Sequence, residues 1–146
     1  MNNPIRILLV DDSPHFIEVV RDFLGMRESF NVIGAAMDGS EAIKQSRLLE
    51  PDIILLDLNL ASISGLDLIP LFKRHIPRTK IVVLTIMKEE AYRLAAAQAG
   101  ADAFLHKDSM FRSLVPTLLE LMKASSNGRF PAQSSGGDRQ ETKTIP

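Results

Sequence analysis

The stretch Asp52-Ile53-Ile54-Leu55-Leu56-Asp57 decides the fold, because it places an uninterrupted apolar run between two acids. Consecutive apolar residues point to both faces of a strand, so a strand of this kind is buried on both sides. Strands with that pattern belong to parallel sheets covered by helices on both faces. The run therefore predicts a central parallel strand, and Asp57 follows its carboxyl end.

Four more apolar runs accompany this strand, and helical patterns separate all five. The predicted strands cover residues 5–10, 31–35, 52–56, 81–84 and 103–105. The helical patterns begin near Ser13, Ser40, Gly65, Lys88 and Ser109. Strict alternation of strand and helix predicts right-handed crossovers with helices on both faces of one sheet, which is a doubly wound α/β domain.

Local signals refine the helices. Ser13 and Pro14 suit the N-cap and first position of the first helix, and Ser40 is the predicted N-cap of the second. Pro70 and Pro116 fall inside the third and fifth helical patterns. Because proline lacks a backbone donor, we expect a kink or a late helix start at both places.

Composition narrows the classes of function. The chain has 146 residues, 45% of them hydrophobic, with a net charge of −1 and no cysteine. This excludes disulfides and thiolate chemistry, and it gives no basic surface for direct nucleic-acid binding. The apolar run at residues 5–10 is too short for a signal peptide or a membrane span. We expect a soluble cytoplasmic domain that does not contact a membrane.

Polar side chains collect where the predicted strands end. Asp11 and Asp12 follow the first strand, Asp57 the third, Thr85 the fourth and Lys107 the fifth. In a doubly wound sheet all carboxyl ends share one edge, and ligands bind there at the switch point. With strand order 2-1-3-4-5, that point lies between strands one and three, so the three acids would converge.

Three converging carboxylates repel one another unless a cation joins them. Oxygen ligands without cysteine favour a hard ion such as Mg²⁺, which leaves room for a phosphoryl oxygen. Asp57 is the candidate nucleophile, and Lys107 and Thr85 are candidates for contacting the phosphoryl group. The residues thus suggest phosphoryl transfer to an aspartate.

This pattern resembles the receiver domain of two-component response regulators over about residues 4–124. The matching segments are Val10-Asp11-Asp12, Leu56-Asp57-Leu58-Asn59, Val83-Leu84-Thr85, Leu105-His106-Lys107, Gly65 and Ala99-Gly100-Ala101. The resemblance implies a three-layer (βα)5 flavodoxin-like fold with sheet order 2-1-3-4-5. It also implies that the domain catalyses only its own phosphorylation and dephosphorylation and is not an enzyme toward external metabolites.

The resemblance further implies a role for each site residue. Asp57 would accept a phosphoryl group from the phosphohistidine of a sensor histidine kinase. Asp12 and Asp57 would bind Mg²⁺ directly and Asp11 largely through water, and the backbone carbonyl of Asn59 would complete the ligands.

The remaining implied roles concern the response to phosphorylation. Thr85 and Lys107 would contact the phosphoryl group, and Phe104 would be the aromatic switch residue that turns inward as Thr85 moves. Without the resemblance, Phe104 is more simply a core residue. The face formed by helix 4, strand 5 and helix 5 would carry the signal to a partner or output domain, and a homodimer through that face is one candidate.

The sequence also suggests how the chain is organised. We expect a receiver domain at residues 1–124 and a flexible tail or truncated linker at residues 125–146. Lys107-Asp108 resembles the subclass with a C-terminal LuxR-type helix-turn-helix. The residues after 124 are too few for that output domain, so we expect a stand-alone receiver or a segment of a longer protein.

Two other functions stay open at this point. One is a receiver-like binding module that works without phosphorylation, although such modules usually lose an acid or the lysine. The other is a metal-dependent phosphohydrolase with an aspartate nucleophile, but its second acid would have to stand where the chain has Ser13. A P-loop nucleotide site is excluded, because no GxxxxGK[ST] motif occurs.

Overall fold

The computed structural model describes residues 3–127, with side chains through residue 123. Five strands alternate with five helices. The strands are β1 (Ile5–Val10), β2 (Phe30–Ala36), β3 (Ile53–Leu56), β4 (Lys80–Thr85) and β5 (Ala103–His106). The helices are α1 (Pro14–Gly25), α2 (Gly39–Leu49), α3 (Gly65–His75), α4 (Glu90–Ala99) and α5 (Met110–Asn127), with a 3-10 turn at Lys107–Ser109 between β5 and α5.

All strand pairs are parallel, and the sheet order is β2-β1-β3-β4-β5. The predicted doubly wound flavodoxin-like fold and its strand order are confirmed. The central strand β3 is buried at every position, as its uninterrupted apolar sequence indicated. Val10 pairs with Leu56, so the chain leaves β1 and β3 side by side at the same edge.

A separate apolar core covers each face of the sheet. On one face, Leu68, Ile69 and Phe72 of α3 pack with residues of α2 and α4 against β1, β3 and β4. On the other face, α1 and α5 pack together against the same strands, with Val20 and Leu114 fully buried. Both faces of the sheet are therefore shielded from water, and the polar groups lie at its ends.

Several boundaries differ from the sequence-based expectation. The N-cap of α2 is Asp38, not Ser40, and its carboxylate accepts the backbone N–H of Glu41 at 2.8 Å. An Asp followed three residues later by Glu is a sequence signature of a helix start, and it fits this start better than a serine inside the first turn. The fourth helix begins at Glu90, two residues later than expected.

The internal prolines do not delay their helices. Both α3 and α5 start upstream of Pro70 and Pro116 and continue through them. Each proline is exposed, so its ring lies on the outer side of the helix. The last helix runs to Asn127, and residues 128–146 of the predicted tail lie outside the described residues.

Gly65 lets α3 begin directly against the end of β3. A Cβ at this buried position would lie 2.5 Å from the backbone oxygen of Asp57 and 2.7 Å from the Cα of Leu58. The backbone N–H of Gly65 donates to the Leu58 carbonyl at 2.9 Å, so the two segments are joined at this point. Any larger residue must displace the backbone that carries Asp57.

We predict that Gly65→Ala lowers the free energy of unfolding by about 1 to 3 kcal/mol, because the methyl group meets backbone. The matched control is Gly25→Ala in α1, where an added Cβ meets no atom within 4 Å. That change should leave stability equal or raise it by up to about 1 kcal/mol. Urea unfolding of both variants measures the difference, and equal effects of the two substitutions would contradict the close-approach argument.

Candidate functional site

Three carboxylates meet at the carboxyl edge of the sheet. Asp11, Asp12 and Asp57 each place an oxygen within 4.8 Å of the others. Asp11 and Asp57 are buried, whereas Asp12 is exposed. The cluster is therefore anchored in the protein on one side and open to solvent on the other.

Backbone hydrogen bonds fix the two buried acids. The N–H of Asp11 donates to Ala36 at 3.0 Å, and the N–H of Asp57 donates to Val10 at 2.9 Å. These bonds extend the parallel ladders by one residue beyond the strands. The positions of both carboxylates are therefore set by the sheet itself.

Lys107 brings a positive charge into this cluster from the turn after β5. Its Nζ lies 2.7 Å from Oδ2 of Asp11 and 3.4 Å from Oδ2 of Asp57, and the side chain is only 14% exposed. The same Nζ lies 3.9 Å from the centroid of the Phe16 ring. The ammonium thus bridges two of the three acids and rests against an aromatic face.

Asp11 has a shifted ionisation. Burial raises the pKa of the Asp11 carboxyl above its ordinary value of 3.8, against the opposing effects of hydrogen bonds from Lys107 and from the backbone of Ser13. The negative charge of Asp57 acts in the same direction as burial. For the ionised Asp11 carboxyl, the unfavourable effect of desolvation exceeds the favourable effect of Lys107. Keeping this carboxyl charged therefore costs free energy.

The donor set fits a hard divalent cation. Carboxylate oxygens from three residues converge, which is the chemistry that Mg²⁺ prefers, and exposed Asp12 leaves one side free for water. Asn59 lies in the loop after β3, where its N–H donates to Oδ1 of Asp57 at 3.3 Å. This bond keeps the Asn59 backbone beside the cluster, as its predicted role as a carbonyl ligand requires.

The two predicted switch residues, Thr85 and Phe104, lie on β4 and β5, the strands beyond β3. Thr85 ends β4 and is fully buried, and its Oγ1 accepts the N–H of Met87 at 3.2 Å. Phe104 lies in β5 opposite Val83, is half-buried and packs on the α2–α3–α4 side of the sheet. The structure thus brings Lys107 to the carboxylates, whereas Phe104 lies within β5, which β4 separates from the strands that carry the acids.

Sequence reasoning missed the part that Phe16 plays at the site. In the sequence, Phe16 reads only as one of the apolar residues that recur at helical spacing in the first helix, together with Val19, Val20 and Phe23. The available signal was its position four residues after Asp12, one helical turn beyond the acidic pair. Spacing alone could not reveal the contact, because Lys107 reaches the ring from the other end of the chain.

Asp11 and Asp12 also do not cap α1. Ser13 is the N-cap, as predicted, and its Oγ accepts the N–H of Phe16 at 3.1 Å. Asp11 instead accepts the N–H of Ser13 at 2.9 Å. Both acids precede the helix, which leaves Asp12 free to face the cluster.

Comparison with known proteins agrees with this geometry. The model of the response regulator receiver domain matches residues 7–119. The nitrate/nitrite response regulator protein NarP of Escherichia coli K12 is 35% identical over 125 residues, which are 86% of this chain and 56% of NarP. The chain spans about half the length of the curated relatives it matches.

Solved structures show the same relationship. The signal receiver domain of a NarL response regulator from Mycobacterium tuberculosis has a TM-score of 0.79 at 30% identity, covering 84% of this chain and 98% of that one. A LuxR-family two-component response regulator from Aurantimonas has a TM-score of 0.79 at 29% identity, covering 83% and 86%. Within residues 3–127, no helix has the length and hydropathy needed to cross a membrane. By sequence and by fold, the chain belongs to the response regulator receiver domain family.

Proposed function

We propose that Asp57 is the phosphoacceptor of this receiver domain and that a sensor histidine kinase supplies the phosphoryl group. One observation carries the proposal. The Lys107 ammonium lies within 3.4 Å of Asp57 in a cluster of three carboxylates at the edge of an apolar sheet. A buried acid with a cation beside it and solvent on one side is suited to in-line attack on phosphorus.

The reaction forms one bond and breaks another. An oxygen of Asp57 bonds to phosphorus as the P–N bond of the phosphohistidine breaks, and the imidazole leaves with the electron pair. Negative charge spreads over the transferred phosphoryl oxygens, where the Lys107 ammonium and the Thr85 hydroxyl would meet it. Because the protein supplies mainly position and charge, small displacements of these groups should slow the transfer.

Asp11, Asp12, Asp57 and the backbone carbonyl of Asn59 would hold Mg²⁺. When bound, the ion supplies positive charge to the phosphoryl oxygens and relieves repulsion among the acids. The domain turns over no external metabolite in this proposal. Its chemistry is confined to gaining and losing its own phosphoryl group.

The signal would pass through Thr85 to the face formed by α4, β5 and α5. The Thr85 hydroxyl accepts from Met87 in this structure, so turning it toward a phosphoryl oxygen would release that N–H. Phe104 packs on the same cluster of side chains as Met87, and it would turn inward as Thr85 moves. A change of packing on this face would then favour a partner, and a homodimer through the face is the arrangement we propose.

Two competing functions lose support from the site. A phosphohydrolase of the aspartate-nucleophile class needs a general acid near residue 13, but Ser13 is the helix N-cap and its hydroxyl accepts from Phe16. A module that works without phosphorylation would have no use for a lysine held between two buried acids. The cytoplasmic location and the lack of direct nucleic-acid binding stay predictions from the sequence.

Acetyl phosphate with Mg²⁺ should add one phosphoryl group to the wild-type chain and none to Asp57→Asn. The amide is close in size to the carboxylate but cannot form the acyl phosphate. Intact mass measures the adduct. The control is Asp22→Asn, an exposed acid of α1, which should be phosphorylated like the wild type. An adduct of equal yield on Asp57→Asn would refute Asp57 as the acceptor.

Without Mg²⁺ at pH 7, Asp11→Asn should raise Tm by about 2 to 6 °C, because it removes the desolvated charge. Because its pKa is raised in the folded state, the Asp11 carboxyl is protonated at a higher pH in the folded chain than in the unfolded chain. Acidification therefore stabilises the wild type through Asp11, and the advantage of the variant should shrink as pH falls from 7 toward 3.8.

Calorimetry at several pH values measures this difference. Saturating Mg²⁺ should raise the Tm of the wild type more than that of Asp11→Asn. A variant advantage that grows on acidification would show that burial is not the dominant effect on Asp11.

If α4, β5 and α5 form the dimer face, Leu94→Asp should abolish beryllofluoride-induced dimerisation and leave phosphorylation unchanged. Leu94 is an α4 leucine that is 49% exposed, so a charge there costs little in the monomer. The control is Leu48→Asp on α2, where the leucine is 72% exposed and away from this face. Light scattering measures the mass, and loss of the dimer in both variants or in neither would argue against this face.

A further inference from the structure

Phe16 is anchored at the start of α1, directly after the acidic pair. Ser13 caps the helix, Pro14 occupies its first position, and the N–H of Phe16 donates to the Ser13 hydroxyl at 3.1 Å. These contacts fix the backbone of the first turn, which carries Phe16. The ring is half-buried, and the Lys107 ammonium lies 3.9 Å from its centroid.

Among the residues that the structure describes, two kinds of group contact the ammonium of Lys107. Asp11 and Asp57 accept its hydrogens through carboxylate oxygens at 2.7 and 3.4 Å, and Phe16 presents a ring face. The face of an aromatic ring carries negative potential, so it attracts the cation without accepting a strong hydrogen bond. With a side chain only 14% exposed, Lys107 is in the partly desolvated setting where this attraction is strongest.

We infer that Phe16 is a positioning residue that acts through Lys107, holding its ammonium where the phosphoryl group on Asp57 will arrive. The inference rests on the proposed phosphoacceptor function. A lysine side chain has a flexible four-carbon stem. If it became ordered only when the phosphoryl group arrives, the loss of conformational entropy would weaken binding of that group. The ring immobilises it beforehand.

The ring also differs from the two acids in what it can bind. Asp11 and Asp57 are candidate ligands of Mg²⁺, so their charge must be shared between the ion and the lysine. Phe16 cannot ligate a metal. Its contact with Lys107 is thus the one that a bound ion does not weaken by competition.

A purely structural role makes a different prediction. Phe16 also packs against the α1–α5 core, and the cavity under it, lined by Leu9, Ile17 and Leu84 among others, measures only about 10 Å³. If packing were its whole role, any substitution that loosens this region would disturb the acids and the lysine together. If Phe16 acts on Lys107, binding of the phosphoryl group should change and binding of the metal alone should not.

The decisive experiment titrates beryllofluoride in saturating Mg²⁺, followed by amide NMR, in wild type, Phe16→Leu and Phe16→Tyr. Leucine keeps an apolar side chain but removes the ring, so we expect beryllofluoride affinity to fall about 5- to 30-fold. Tyrosine restores the ring and should return affinity to within about 2-fold of the wild type. Phe23→Leu is the matched control, a half-buried phenylalanine of the same helix whose ring contacts Phe111.

Two further readouts separate positioning from packing. The ε-methylene protons of Lys107 should be shifted upfield by the ring in wild type and Phe16→Tyr, and this shift should vanish in Phe16→Leu. Mg²⁺ alone should bind Phe16→Leu no more weakly than it binds the wild type, because the acids are intact. Equal losses in Phe16→Leu and Phe23→Leu, or a parallel loss of Mg²⁺ affinity, would overturn the inference.

The test also distinguishes this inference from the proposed function. If the wild type binds beryllofluoride and Phe16→Leu binds it equally well, the positioning role fails and the phosphoacceptor site stands. If the wild type binds no beryllofluoride in Mg²⁺, the proposed function fails and the inference fails with it. Normal binding with a selective loss in Phe16→Leu supports both.

Discussion

The site depends on the ion pair that Lys107 makes with Asp11 and Asp57. Parallel strands place the acids beside each other at the end of a sheet that is shielded from water. Burial there raises the free energy of the ionised carboxylates, and their like charges repel. The lysine that offsets this lies 96 residues from Asp11 and 50 from Asp57 along the chain. The contact therefore requires β1, β3, β4 and β5 to lie in their native order, so the charge balance of the site depends on the assembled sheet.

The members of this ion pair are held in different ways. Asp11 and Asp57 are fixed by backbone hydrogen bonds that continue the sheet, and Gly65 allows α3 to close against the same backbone. Lys107 lies in the 3-10 turn after β5, where its carbonyl accepts the N–H of Met110, and its ammonium is placed by side-chain contacts. The acids are consequently the rigid part of the site, and the lysine is the part whose position depends on its surroundings, including the ring of Phe16.

Much of this arrangement could be predicted from the sequence. Uninterrupted apolar runs identify the central strands and their burial, and the switch-point rule predicts from the sequence that Asp11, Asp12 and Asp57 come together. The start of α2 was harder to predict, because Asp38 and Ser40 are both good N-cap residues and only Glu41, three residues after Asp38, favours the former. The contact between Phe16 and Lys107 was out of reach, since a tertiary contact leaves no periodic signal.

The site has two sides that lie on opposite faces of the sheet. Phe16 approaches Lys107 from the α1–α5 side, whereas Thr85 donates no bond to the acids here and is linked instead to Met87, which packs with Phe104 on the α4 side. Tightly packed cores change between discrete arrangements and do not deform continuously, so a hydroxyl that moves at the edge can alter the packing of a neighbouring strand. Phe16 and Phe104 pack on opposite faces of the sheet, so substitutions at these two residues can alter the hold on Lys107 and the packing response separately.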